Sequence, residues 1–173
     1  TMGYAQTESV AGIHVNLATG IAQDGTGGTD TLIDIEQVLG SSYGDRLIGG
    51  NTVNDALEIF TGYEGNDIIN GGSGFDLIDY RFENFNSQRG ISADLAAGTI
   101  IDAYGFTDRV SNVEAISATD RSDRLLGSAG DDEFRPGRGL DYIDGRDGSD
   151  TVSYVFDVAI ADRPHGIDAD LVR

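Results

Sequence analysis

ATDRSDRLL, GSAGDDEFR, PGRGLDYID and GRDGSDTVS are four consecutive blocks of nine that together make up residues 118–153. Asp holds the sixth place of every block (Asp123, Asp132, Asp141, Asp150), and an apolar residue holds the eighth (Leu125, Phe134, Ile143, Val152). Places one to six are rich in Gly, which permits positive φ and close backbone approach, so this part reads as a tight turn. Places seven to nine read as a three-residue strand whose middle side chain points inward. Two blocks then make one coil, strand–turn–strand–turn. Turns on the same side recur every 18 residues, stacked at roughly the 4.8 Å strand spacing. The reading predicts an all-β chain, a parallel β-roll or β-helix solenoid in which each coil buries its face only against its neighbours.

Working outward, residues 40–79 show the same pattern with small insertions: GSSYGDRLI, GNTVNDALE, GYEGNDIIN and GGSGFDLID. Their sixth places are Asp45, Asp55, Asp67 and Asp76, and their eighth places are Leu47, Leu57, Ile69 and Ile78. A longer repeat encloses both arrays. Residues 12–49 align without gaps on residues 90–127 at an offset of 78, with 14 of 38 positions identical. GIDADL, from Gly166, begins a third copy, and Tyr4, Tyr80 and Tyr154 precede the three copies as matching packing residues. The expected organisation is a first long repeat at 1–79 (wide coils 12–39, nonapeptide array 40–79). A second follows at 80–153 (wide coils 90–117, array 118–153), and 154–173 starts a truncated third. In the wide coils, DTLIDIEQVLGS and DRVSNVEAISAT space apolar residues by three. Their β-branched content and lack of a cap favour rungs of a wider parallel coil over a helix.

Stacked Asp columns pose an electrostatic problem. Two carboxylates about 5 Å apart repel by roughly 3 kcal/mol at an effective dielectric of 20. A hard divalent cation between turns reverses the sign. Calcium accepts a mixture of carboxylate and carbonyl oxygens in flexible geometry, whereas magnesium demands a tighter octahedron. Zinc and copper would want Cys or His; Cys is absent, and His14 and His165 are isolated. The expected cofactor is Ca2+, roughly four to six ions by the number of acid-bearing turns.

GGSGFDLID, residues 71–79, meets every fixed place of the G-G-x-G-x-D-x-U-x repeat, and PGRGLDYID and GRDGSDTVS each miss one. The chain thus resembles the RTX, or hemolysin-type, calcium-binding repeat family. That resemblance implies a right-handed parallel β-roll with calcium between turns, in a larger protein exported by Gram-negative type I secretion. Carried over, it makes Asp45, Asp55, Asp67, Asp76, Asp123, Asp132, Asp141 and Asp150 side-chain ligands. It makes Gly62, Gly65, Gly71, Gly74, Gly137, Gly139, Gly145 and Gly148 the loop-shaping residues that lend carbonyls. GTGGTDTLI, residues 25–33, is itself nonapeptide-like, which adds Asp30 and its counterpart Asp108. Tyr43, Val53 and Arg121 depart from Gly at the fourth place, so those coils are expected to be wider or metal-free. The fullest sites are expected at Asp67 and Asp76, and at Asp132, Asp141 and Asp150.

Composition agrees and excludes. The 173 residues carry 30 acids against 11 bases, a formal charge of −19. Of the acids 23 are Asp, and all bases are Arg. Asp with Gly is turn chemistry, not helix chemistry. The charge excludes nucleic acid as a partner, and no apolar run is long enough to span a membrane. Neither His has a partner motif for a triad, and repeated acids suggest a repeated structural task, so no enzyme is expected. The expected function is a calcium-binding module, secreted or at the cell surface, that folds on binding calcium outside the cell and serves the remainder of a longer parent chain. Two alternatives stand beside it. One is a calcium-stiffened adhesive module binding polysaccharide or a cell surface, the other a fragment of a β-helical polysaccharide-modifying enzyme.

Overall fold

The computed structural model describes residues 2–3, 11–51, 57–85 and 89–154. The chain runs through β1 (Met2–Gly3), β2 (His14–Asn16), β3 (Ile21–Gln23), β4 (Thr29–Thr31), β5 (Gln37–Leu39), β6 (Arg46–Ile48), β7 (Leu57–Thr61), β8 (Ile68–Asn70) and β9 (Phe75–Asp79). After a 3-10 turn at Arg81–Phe85 come β10 (Ser92–Asp94), β11 (Thr99–Ile101), β12 (Thr107–Ser111), β13 (Ala115–Ser117), β14 (Arg124–Leu126), β15 (Glu133–Arg135), β16 (Tyr142–Asp144) and β17 (Thr151–Val152). They form two sheets. One has the order β1-β5-β7-β9-β13-β15-β17, and every pair in it is parallel. The other has the order β16-β14-β10-β11-β12-β8-β6-β2-β3-β4. The chain alternates between the sheets turn by turn, which is the all-β parallel roll that the nines predict.

Three-residue strands present one side chain to the interior. Arg46-Leu47-Ile48 is exposed, buried, half-buried, and Arg124-Leu125-Leu126 repeats that pattern. The core is built from these middle residues of both sheets, among them Val38, Ile78, Ile116 and Phe134 from one and Val15, Leu47, Ile69 and Leu125 from the other. Among the described residues the last two eighth-place side chains are less covered: Ile143 is half-buried and Val152 is exposed.

The wide coils hold a feature that apolar spacing does not reveal. β2-β3-β4 and β10-β11-β12 are antiparallel meanders set into the otherwise parallel sheet. Asn16 accepts the Thr19 N–H and Asp94 accepts the Ala97 N–H, and Gly20 and Gly98 stand at φ +66° and +67°. Each is an Asx-type reversal written as [ND]-L-A-x-G. Asp24 and Asp102 close the second reversal in the same way, on Thr26 and Gly28 and on Gly105 and Phe106. The distal parts of these segments, β5 and β13, are the expected parallel rungs.

The second nonapeptide is out of register with the expectation. Leu57, its eighth-place residue, is 38% exposed, while Phe60 is fully buried and pairs with Val38 and Ile78. Glu58 lies opposite Asp76 and therefore takes the sixth place that the sequence gives to Asp55. The insertion precedes Glu58 instead of following it. A Phe ring buries more apolar area than a Leu, and the acid two residues before it closes the turn. Asp55, Tyr4 and the third copy from Gly166 lie outside the described residues.

This register makes a prediction. In calcium-saturated protein, Phe60→Ala is expected to cost about 3–5 kcal/mol, as for a large aromatic lost from a core. Leu57→Ala is expected to change stability by no more than about 0.5 kcal/mol, as for a surface position. Denaturant titrations of the two variants check the difference.

Candidate metal centre

Strand register gathers the sixth-place acids into columns. On the side entering the β8 sheet, Asp45, Asp67 and Asp108 are adjacent, and Asp123 stands beside Asp141. On the other side, Glu36, Glu58, Asp76, Glu114, Asp132 and Asp150 form one unbroken file. Glu36, Glu58 and Glu114 escape a search for Asp. Their signal was an acid two residues before an inward apolar residue, as in Glu36-Gln37-Val38 and Glu114-Ala115-Ile116.

One carboxylate oxygen in each column ties a coil to its neighbour. Asp67 Oδ1 accepts the Asp45 N–H at 2.7 Å, and Asp108 Oδ1 accepts the Asp67 N–H at 2.9 Å. Asp141 and Asp150 receive the N–H groups of Asp123 and Asp132 at 2.9 and 3.0 Å. Glu114 receives that of Asp76 at 3.0 Å. Asp45 and Asp123 accept the N–H groups of Ile13 and Ile91, which lead into the first strand of each meander.

The second oxygen divides the turns into two kinds. Where the second place is Ser or Thr, the turn satisfies its own acid. Ser41 donates its N–H and hydroxyl to Asp45, Thr119 does so to Asp123, and Ser128 to Asp132. In the other kind, the second and fourth places are both left-handed. Tyr63, Gly72, Gly137 and Arg146 hold the second place at φ +66° to +101°, and Gly65, Gly74, Gly139 and Gly148 the fourth at +122° to +134°. Holding Tyr63 and Arg146 there costs about 1–3 kcal/mol each. In these open turns Asp67 Oδ2 and both oxygens of Asp76 are buried with no hydrogen-bond partner. A Cβ at Gly62, Gly71 or Gly145 would overlap the carboxylate of Asp67, Asp76 or Asp150, so those first places admit only Gly.

Burial governs the charge. It pushes Asp67 up to about 8, helped by the Asp108 and Asp45 charges, and Asp76 up to about 7, helped by Glu58 and Glu114. Asp108 and Asp123 rise to about 6, again chiefly by burial, although Asp108 accepts the Tyr80 hydroxyl at 2.8 Å and Asp123 that of Thr119. Burial lifts Asp45, Glu58 and Asp132 as well. Glu83, which the sequence reading overlooks, is buried beside Asp102 and pushed up to about 9. Its Oε1 and Asp102 Oδ2 have no hydrogen-bond partner.

The sites expected from sequence are placed unequally. Asp67, Asp76, Asp141 and Asp150 close open turns. Asp45, Asp123 and Asp132 close Ser- or Thr-capped turns, so the Asp132 turn differs from its expected companions at Asp141 and Asp150. Asp108 is fully buried in its column, while its counterpart Asp30 is exposed on β4. In the second nonapeptide the register places Glu58 at the sixth place, while Asp55 lies outside the described residues.

Orphaned carboxylate oxygens inside glycine turns fit a hard cation. Among the described residues no three Asp, Glu or His side chains converge. A cation here must therefore draw on turn carbonyls as well as carboxylates, the mixed shell that calcium takes. The molecule is a parallel β-roll whose turns are shaped around buried acids. The model of the RTX calcium-binding nonapeptide repeat matches residues 59–79 and 117–152, in four copies. These two segments, about a third of the chain, are RTX calcium-binding repeats. No curated protein matches the chain.

The raised values set a pH dependence. Carboxylates raised in the fold take up protons that the unfolded chain, at about 3.9, releases. Their contribution is fully present below about pH 4 and is lost as pH rises through 6 to 8. In chelator, far-ultraviolet circular dichroism is expected to show more β-structure at pH 5 than at pH 8. In calcium the order is expected to reverse, because the cation competes with protons for the same oxygens.

Proposed function

We propose that this chain is a calcium-operated folding module of a larger secreted or surface protein, with no reaction of its own. The observation that carries the reading is the set of four open turns, closed by Asp67, Asp76, Asp141 and Asp150. In the first two of these, carboxylate oxygens are buried and unsatisfied at the acid column. Without a cation those turns must either hold protons or separate. With calcium, binding free energy becomes folding free energy. RTX repeats typically occur in secreted proteins, and among the described residues no helix is long and apolar enough to cross a membrane. At low calcium, the charge of −19 keeps the chain expanded and suited to passage through an export channel. Millimolar calcium outside the cell then closes the roll around the turns, in the affinity range of extracellular calcium modules.

Calorimetric titration of the chelated protein is expected to give about four ions, one per open turn, together with a gain of β-structure. Asp67→Asn and Asp76→Asn are each expected to lower the stoichiometry. Asp45→Asn, in a capped turn, is expected to leave it unchanged. A far-ultraviolet spectrum identical in chelator and in millimolar calcium at neutral pH would overturn the reading.

A further inference from the structure

Two buried acids belong to no nonapeptide. Glu83 sits on the 3-10 turn Arg81–Phe85, which leads from the first array into the second long repeat. Its own N–H donates to the Tyr80 carbonyl at 3.1 Å, which fixes the turn against the end of β9. Asp102 closes the reversal between β11 and β12 in the meander that follows. One hydrogen bond joins these two segments: Glu83 Oε2 accepts the Ala103 N–H at 3.1 Å.

Each acid spends one oxygen on the backbone. Asp102 Oδ1 accepts the N–H groups of Gly105 and Phe106 at 2.6 and 2.7 Å. The remaining oxygens, Glu83 Oε1 and Asp102 Oδ2, are buried with no hydrogen-bond partner among the described residues. The two side chains come from separate segments, and their residues are 0% and 2% exposed. Burial raises Glu83, and of the charges that add to it Asp102 is the largest. The reversal alone does not demand this burial. Asp24, the match of Asp102 in the first long repeat, bonds Thr26 and Gly28 in the same way yet is only half-buried, and those bonds hold its carboxyl below the ordinary range. Asp102, with the same turn chemistry, is lifted by burial. Asp67 Oδ2 is also orphaned, but no three acidic side chains converge among the described residues, so the Asp67 turn and this pair are separate.

We propose that Glu83 and Asp102 hold a further calcium ion, outside the nonapeptide turns, which fastens the link between the two long repeats to the meander of the second. Two orphaned carboxylate oxygens buried in one place are costly unless a cation or a proton compensates them. Oxygen ligands select a hard cation, and calcium completes its shell with water and backbone carbonyls in flexible geometry. The competing occupant is a proton held by Glu83, and the two occupants predict different behaviour of the amide variants. Glu83→Gln keeps an oxygen for the Ala103 N–H and sets an NH2 toward Asp102, as a protonated Glu83 would set its hydroxyl. Asp102→Asn keeps an oxygen for Gly105 and Phe106. Both variants are therefore expected to fold.

Calcium bound at saturation is counted by equilibrium dialysis with elemental analysis, and circular dichroism on the same samples verifies the fold. Glu83→Gln and Asp102→Asn are each expected to hold one ion fewer than the native chain. The double variant is expected to lose that same single ion, because both residues serve one site. Combined with Asp67→Asn, either change is expected to lose a second ion. Should one variant fail to fold, the other, on a different segment, carries the test. Folded variants that keep the native count would show a shared proton in place of the cation and overturn the proposal. So would a double variant that loses two ions, since the acids would then serve separate sites. The site uses none of the four open turns, so the two readings fail separately. A count lowered by Asp67→Asn but by neither of these variants removes this site and leaves the open turns standing, and the reverse pattern leaves this site without them.

Discussion

The structure depends on one interaction, the hydrogen bond from a sixth-place backbone N–H to the carboxylate of the next coil. It occurs between Asp45 and Asp67, Asp67 and Asp108, Asp123 and Asp141, and Asp132 and Asp150. A three-residue strand makes few ladder bonds, and the six-residue turn adds chiefly the N–H of its first residue, as from Gly127 to the Asp144 carbonyl. The acid supplies the missing link at the point where strand becomes turn. The same placement fixes the difficulty, because an acid serving every coil stacks carboxylates at the strand spacing. Their repulsion, about 3 kcal/mol per pair at an intermediate dielectric, grows with the length of the roll.

Two chemistries answer that difficulty, and they alternate. In capped turns, Ser41, Thr119 and Ser128 saturate the second oxygen from within. In open turns, left-handed residues at the second and fourth places direct the backbone around the acid and leave its oxygens unfilled. On both sides of the roll a capped turn is followed by an open one: Asp45 by Asp67, Asp123 by Asp141, Asp132 by Asp150. The capped acids need no cation to be satisfied. On the proposed function, the requirement for calcium falls on the open turns, each held against a neighbour that is already closed.

The roll was legible because its period is carried by side chains that cannot be exchanged. Asp at the sixth place and an apolar residue at the eighth fix the coil, and most of the acids lie where that period puts them. Three features were hidden, each for a physical reason. The meanders depend on Asx reversals at Asn16 and Asp94, which are local hydrogen bonds and leave no mark on apolar spacing. The shift at Phe60 depends on which of two apolar residues buries more area. The acids Glu36, Glu58 and Glu114 differ in type from the repeat, though they do its work.

That difference in type follows the backbone. Glu appears in the coils whose connection is not a six-residue turn: the short link after β4, the inserted loop before β7 and the three-residue link after β12. A nonapeptide turn brings its Asp within reach of the neighbouring coil. In the other connections the backbone is set by a meander or an insertion, and one more methylene spans the gap, as when Glu114 Oε2 reaches the Asp76 N–H at 3.0 Å. The acid file on that side thus runs unbroken from Glu36 to Asp150. On the opposite side the meander strands interrupt it, and Ile13 and Ile91 stand where an acid would be. A 78-residue unit can therefore vary its sequence widely so long as a carboxylate of suitable length meets the next coil's N–H. That constraint, more than the nonapeptide motif itself, keeps successive repeats in register.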